Sequence, residues 1–254
     1  MTALWVEITA TRGSAPRDAG TAMQVTPRSI SGTIGGGTLE HRAIATARKM
    51  LESGQTRHSE TLPLGPNLGQ CCGGVVTLQY TDEPRQTDVV SVPDWPQVRL
   101  PDTPQKLWLW GAGHVGRAVM RAAPSQAFEI TWIDSDQNRF PSHIPAHARA
   151  VPTHDMPRLA GHAPQDAHHL IFTYAHDIDL ALCAALLKRG AASIGLIGSA
   201  TKWARFRKRL TASGLDPAPV TCPIGDKALG KSPDQIAKGV IKALLVSTQP
   251  KAIA

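Results

Sequence analysis

Two adjacent cysteines, Cys71 and Cys72, stand in the run Asn67-Leu68-Gly69-Gln70-Cys71-Cys72-Gly73-Gly74, between a Leu-Gly turn and a Gly-Gly pair. Neighbouring side chains of an extended segment point to opposite sides, so the pair is a poor two-toothed chelate for a metal such as zinc. A single presented thiolate suits sulfur chemistry, or a bond to a soft, thiophilic metal centre. The flanking glycines let something large approach the backbone closely. The rival reading is structural: two small residues packed where a strand begins, since free cysteine is among the most buried residue types.

A second motif is Gly111-x-Gly113-x-x-Gly116. It follows the apolar run Leu107-Trp108-Leu109-Trp110 and opens a helical pattern, and Asp134 ends the next strand-like run near the expected distance. In that context the first glycine allows a tight turn, the second lets a pyrophosphate approach, and the third lets helix and strand pack. Asp134 is placed to accept a ribose hydroxyl. The motif predicts the fold rather than its occupancy, and NAD binding is not expected, because no residue set for hydride chemistry accompanies it.

Three further features could meet an anion or move a proton. Gly35-Gly36-Gly37 leads through Thr38 into a helix and could form a nest of backbone N–H groups for a phosphate. Glu40 in the first turn competes for the same field. His176 and Asp177 follow a strand whose carboxyl end belongs on the ligand side of a parallel sheet; Asp177 reads as the N-cap of the next helix, and His176 as a proton carrier or ligand contact. Ser199 and Lys202 sit at a strand-to-helix turn where an anion could dock, ahead of the basic run Arg205, Arg207, Lys208 and Arg209. Such a run is ordinarily a solvated face. Cys183 lies in an apolar helical stretch and reads as core.

The elements that place these residues fall into two groups. Residues 4–11 and the neighbourhood of 23–25 read as strands, 39–51 as a helix capped by Thr38, and 75–80 as a strand, giving a small α+β unit over residues 1–85. Prolines at 84, 93, 96, 101 and 104 mark 86–105 as a stiff linker. Residues 106–254 alternate strands (107–110, 128–134, 169–174, 193–198) with helices reaching Pro124, Arg189 and Ala212, which predicts a Rossmann-like, doubly wound parallel sheet with Gly111 at the end of its first strand. The fold class is therefore α/β with a smaller α+β domain in front.

Composition narrows the rest. The chain has 254 residues and 42% apolar content, enough for a packed core, and no apolar window long enough to span a membrane. The amino-terminal residues lack a basic region followed by an apolar run, so no secretory signal is expected. Four cysteines, at 71, 72, 183 and 222, make no disulfide framework and fit a reducing, cytoplasmic setting. The net charge is +7; residues 1–100 balance at nine basic and nine acidic, while 101–254 carry eighteen against eleven. The excess points to an anionic ligand or an acidic partner for the second half. Nucleic acid is not expected, because no RNA- or DNA-binding motif appears in the chain.

Taken together, the segments resemble the XdhC/CoxI family, accessory proteins of molybdenum hydroxylases. The resemblance rests on residues 11–17 and 32–40, the Gly-Gln-Cys-Cys-Gly-Gly run, residues 111–115, the His176-Asp177 pair, and Gly195 to Ser199 with Lys202 and the basic helix. It implies a chaperone rather than a catalyst: a protein that binds molybdenum cofactor, holds it while a cysteine desulfurase supplies a terminal sulfido ligand, and delivers it to apo-xanthine dehydrogenase. It implies cofactor contacts from Gly35, Gly36, Gly37, Gln70, Cys71, Cys72, Gly111, Gly113, His114, His176, Ser199 and Lys202, with Cys71 and Cys72 as ligands of the molybdenum. The oligomeric state stays open, a homodimer included. After Pro223-Ile224-Gly225 the chain departs from the family pattern, and residues between Asp134 and His169 match nothing in it. Two rivals stand beside this reading: an NAD-dependent oxidoreductase using the second domain, and a sulfur-transfer enzyme with a persulfide on Cys71 or Cys72.

Overall fold

The computed structural model of the protein describes residues 2–13, 15–64, 74–87 and 100–247. It divides into two compact units, Met1–Ser91 and Val92–Ala254. No helix among the described residues is long and apolar enough to cross a membrane.

The first unit is a five-stranded antiparallel sheet with one helix. Its strands are β1 (Leu4–Arg12), β2 (Ala22–Val25), β3 (Ile30–Gly32), β4 (Arg57–Pro63) and β5 (Val75–Thr81), in the order β3-β2-β1-β5-β4. Alternation along β1 buries Leu4, Val6 and Ile8 and leaves Trp5 and Glu7 partly exposed, as a sheet covered on one face requires. A bulge between Ile8 and Ala10 shifts the β1–β5 register. Helix α1 (Gly37–Ser53) lays Leu39, Ala43, Ala47 and Met50 on the same core; burying a leucine such as Leu39 contributes roughly 2 kcal/mol. The helix starts earlier than its apolar pattern suggests. Gly36, not Thr38, is the N-cap, because Glu40 reaches back and accepts the Gly36 N–H at 3.1 Å. Gly54, left-handed at φ 73°, ends the helix.

The second unit is the expected parallel sheet. β6 (Gln105–Trp110), β7 (Phe128–Asp134), β8 (Ala148–Pro152), β9 (His168–Ile171), β10 (Ser193–Leu196) and β11 (Val220–Thr221) lie in the order β11-β10-β9-β6-β7-β8. α2 (His114–Ala122) and α6 (Pro233–Ser247) pack together over one face, where Leu107 and Leu109 point. α3 (Met156–Ala160), α4 (His176–Arg189) and α5 (Ala200–Ala212) cover the other, where Trp108 and Trp110 point. Burial on both faces explains why β6 reads as an unbroken apolar run rather than an alternation. β9 stops at Ile171, short of the 169–174 run read as strand. Phe172 still donates its N–H to the Trp110 carbonyl at 2.8 Å, but Thr173 turns its amide and hydroxyl to Asp179. That turn starts α4 at His176 with Ala175 as N-cap. Asp177 is therefore inside the helix, 93% exposed, with Arg209 at 3.5 Å, and is not the cap the sequence suggests.

Candidate functional site

The winding of the parallel sheet reverses at β6, with β7 on one side and β9 on the other. In doubly wound folds the loops leaving the carboxyl ends of the strands part at such a switch point, and the crevice between them is where ligands bind. The fingerprint glycines meet it differently. Gly111 has φ +120°, and a Cβ there would lie 2.4 Å from the Phe172 carbonyl oxygen. A Cβ on Gly116 would lie 2.0 Å from the Gly111 carbonyl oxygen. Both are glycine because backbones touch. Gly113 has ordinary extended backbone (φ −74°, ψ −168°), and among the described residues nothing lies within 4 Å of a Cβ built on it. Its glycine leaves open space at the start of α2.

Two helices begin at this crevice. α2 starts at His114 behind Gly113, and α4 starts at His176 behind Ala175; neither N-cap residue supplies a side-chain hydrogen bond. Both first turns therefore aim backbone N–H groups and the positive end of a helix dipole at the carboxyl edge of the sheet. Arg117, one turn into α2, donates to the carbonyls of Ala112 (3.0 Å) and Arg139 (2.6 Å). Burial foremost, then the nearby Arg121 and Arg139, lowers its pKa from the usual arginine value. His176 is half-buried with its ring edge-on to Phe206. Burial, then the charge of Lys202, holds its pKa below the usual histidine value.

Asp134 is not open to a ribose. It is 1% exposed; Oδ2 accepts the Ala112 N–H at 2.6 Å, and Oδ1 accepts the Ser135 N–H at 2.7 Å. The carboxylate fastens the 111–113 loop to the end of β7 instead. The two other anion cradles suggested by the sequence are also filled from within. Around residues 35–37, the Glu40 carboxylate accepts the N–H groups of Ile34 (3.0 Å) and Gly36 (3.1 Å) and the Thr33 hydroxyl. At the start of α5, Ser199 Oγ accepts the Lys202 N–H at 3.1 Å, and the Lys202 ammonium is buried against Asp179 and the Ile197 carbonyl. Asp179 had no sequence signal beyond an acid in a helix; its partners Thr173 and Lys202 lie six and twenty-three residues away.

The structure thus brings Gly111, Gly113, His114 and His176 to one crevice and places Ser199 and Lys202 beside it, on the next loop. Gly35, Gly36 and Gly37 belong to the first unit. Gln70, Cys71 and Cys72 lie outside the described residues. Cys183 is fully buried, as expected, and burial foremost pushes its thiol up to about 12. Among the described residues no group of three or more His, Cys, Asp or Glu side chains is arranged to hold a metal ion. Tyr174 and Arg139, which sequence reasoning passed over, also stand at the crevice; the signal available was their position just after strand ends.

The fold is that of a Rossmann-type domain that follows, in the chain, a small antiparallel α+β domain. Residues 107–242 match the XdhC Rossmann domain and residues 2–63 match the XdhC and CoxI family. The chain belongs to the XdhC family. It is 23% identical over 246 residues to the uncharacterized protein YqeB of Escherichia coli K12; the match takes in 94% of this chain but only 42% of that relative's length. A crystal structure described as a xanthine dehydrogenase from Bacillus halodurans superposes with a TM-score of 0.50 over 100% of this chain and 94% of the other, at 17% identity. That likeness is one of fold.

Proposed function

We propose that the protein is an accessory carrier that binds molybdenum cofactor, holds it during sulfuration by a cysteine desulfurase, and hands it to an apo-molybdenum hydroxylase of the xanthine dehydrogenase type. Membership of the XdhC family supports the accessory role. The observation that favours this cargo over a dinucleotide is the state of Asp134. Its carboxylate closes on the Ala112 amide, so the acceptor that anchors a dinucleotide ribose is consumed. The start of α2, which has no acid in its first turn, still favours a phosphate beside the open space at Gly113. A phosphate ester without a ribose anchor, such as the pterin phosphate of the cofactor, fits that arrangement better than NAD. In this reading Gly113, His114 and His176 border the phosphate, while a thiolate role for Cys71 or Cys72 rests on the resemblance of the Gly-Gln-Cys-Cys-Gly-Gly run alone. The 35–37 loop and the Ser199–Lys202 turn act as supports, because internal carboxylates and caps already occupy them.

The test mixes purified protein with molybdenum cofactor, separates free cofactor, and measures bound molybdenum and activation of apo-xanthine dehydrogenase. Cys71→Ala and Cys72→Ala are assayed alongside. Stoichiometric molybdenum that falls in at least one cysteine variant is the expected result; full binding and activation in both removes the thiolate from the proposal. Micromolar NAD affinity of the unaltered protein restores the oxidoreductase reading. A persulfide on either cysteine after incubation with a desulfurase, seen by mass spectrometry without bound molybdenum, favours sulfur transfer.

A further inference from the structure

Tyr174 and Arg139 meet across the mouth of the crevice, although they leave the sheet on opposite sides of β6. Tyr174 follows β9, and Arg139 ends a 3-10 turn (Gln137–Arg139) after β7. Strands β7 and β9 stand roughly 10 Å apart with β6 between them. The two side chains close that distance: the Arg139 guanidinium carbon lies 4.6 Å from the Tyr174 ring centroid, and the Tyr174 hydroxyl lies 3.5 Å from Ser135 Oγ. Tyr174 is 46% exposed, the one aromatic among the large exposed hydrophobic residues described. The Arg139 backbone is fixed by Arg117, which donates to its carbonyl. Its guanidinium stands 3.6 Å from Asp134 Oδ1, beyond good hydrogen-bond distance, and that carboxylate is already engaged by backbone amides. An exposed aromatic face and a partly exposed guanidinium, paired with the buried Asp134 carboxylate, therefore lie side by side beyond the carboxyl ends of β9 and β7. An exposed cation–π contact is weak, so a better partner for either group displaces it readily.

We propose that Tyr174 and Arg139 are ligand-contacting residues of this crevice. A planar heterocycle bearing a phosphate lies against the Tyr174 ring and gives its anion to the Arg139 guanidinium, replacing the contact these residues make with each other. The inference rests on the reading that the crevice receives the cargo, and it names the two side chains that would recognise the ring and its charge. No bond is made or broken; the exchange is one stacking and one ionic contact for another.

GMP is a suitable probe, because guanine shares its 2-amino-4-oxopyrimidine edge with a pterin. Full-length protein is titrated with GMP, guanosine and inorganic phosphate by calorimetry, together with Tyr174→Ala, Tyr174→Phe and Arg139→Ala. Both residues are partly exposed, so folding is expected to survive, and circular dichroism checks it. The expected pattern is tighter binding of GMP than of guanosine. Tyr174→Ala weakens GMP and guanosine by about tenfold, Tyr174→Phe restores both, and Arg139→Ala weakens GMP but not guanosine and so narrows the gap between them. GMP affinity unchanged in both Ala variants, or no binding of GMP or guanosine to the unaltered protein, overturns the proposal. Titration with molybdenum cofactor keeps the two readings apart. Failure of the cofactor to bind while GMP still depends on Tyr174 sinks the cargo and leaves these contacts. Cofactor binding while GMP ignores both substitutions sinks the contacts and leaves the cargo.

Discussion

Gly113 and Gly111 stand two residues apart in one loop and answer to different constraints. Gly113→Val should cost only about 1 kcal/mol, the usual effect of an apolar N-cap, because the backbone there is extended and the new side chain enters open space. The same change should weaken cargo binding if, as proposed, the phosphate lies in that space. Gly111→Ala should destabilise by more than about 2 kcal/mol, because φ is +120° and the Phe172 carbonyl is in the way. Urea unfolding and a cofactor titration on both variants check the contrast; equal effects on stability would remove the distinction. Gly36 and Lys202 are poor reporters by comparison. Gly36 has φ +73°, and Lys202 neutralises a buried carboxylate, so substitution at either disturbs the fold before it reports on a ligand. A buried histidine sets a second expectation. His169 is fully buried and accepts the Trp110 indole N–H at 3.2 Å; burial, then the neighbouring His168, lowers its pKa from 6.5 to about 4. The unfolded chain therefore takes up the proton first. Its stabilising contribution is whole above pH 6.5 and is lost as pH falls towards 4, where the loss from this residue reaches about 3 kcal/mol. His169→Gln should unfold with a flatter pH dependence between pH 7 and pH 4 than the unaltered protein.

Helices α4 and α5 are joined by a buried ion pair that orders the loops in front of them. Asp179 is 1% and Lys202 5% exposed. Asp179 also accepts the Thr173 amide and hydroxyl from the loop after β9, and Lys202 donates to the Ile197 carbonyl after β10. Removing one partner leaves a buried charge uncompensated, so Asp179→Asn or Lys202→Met should each cost about 3–5 kcal/mol. The double variant should cost less than the sum, with a coupling of at least about 1 kcal/mol in a double-mutant cycle; additive losses would show that the pair does not act as a unit. This latch also marks the boundary of what the sequence reveals. The β6–glycine loop–α2–β7 segment was readable because its signals are local: an apolar run, a fixed glycine spacing and an acid at the next strand end. α5 was readable from Ala200 to Ala212 for the same reason. β8 and α3 were not, because His and Pro dilute their patterns, and β3 and β11 are too short to show a period. Of the crevice, its glycines and His176 were visible, but the engagement of Asp134 with Ala112, twenty-two residues back, and of Lys202 with Asp179 depends on pairings that no spacing encodes.

Charge acts at the scale of the whole molecule. The excess of basic residues in 101–254 has a concentrated source in α5, which carries Lys202, Arg205, Arg207, Lys208 and Arg209 and no acid. Lys202 is spent internally, whereas Arg205, Arg207, Lys208 and Arg209 are exposed; Arg209 approaches Asp177 at 3.5 Å, an exposed pair worth little. α5 begins beside the crevice, so an acidic surface attracted to this helix would arrive close to the proposed cargo. A carrier of a cofactor that is labile in water has reason to meet its acceptor in this way, since steering raises the rate of encounter and orients it. Solvation alone is the competing explanation for such a face, and salt separates the two. Charges are screened over roughly 10 Å at 0.1 M salt, so binding to an apo-molybdenum hydroxylase should weaken as salt rises, through a slower association rate. Changing Arg205, Arg207 and Lys208 together to Ala should produce a similar loss at low salt and leave little salt dependence behind. Folding stability should stay within about 0.5 kcal/mol, because the three side chains are solvent-facing. Surface plasmon resonance against the apo-hydroxylase and against a cysteine desulfurase, over a salt series, makes the measurement. Association with either protein that ignores both salt and the substitutions would remove α5 as the docking face while leaving the carrier role intact; association with neither would remove the role.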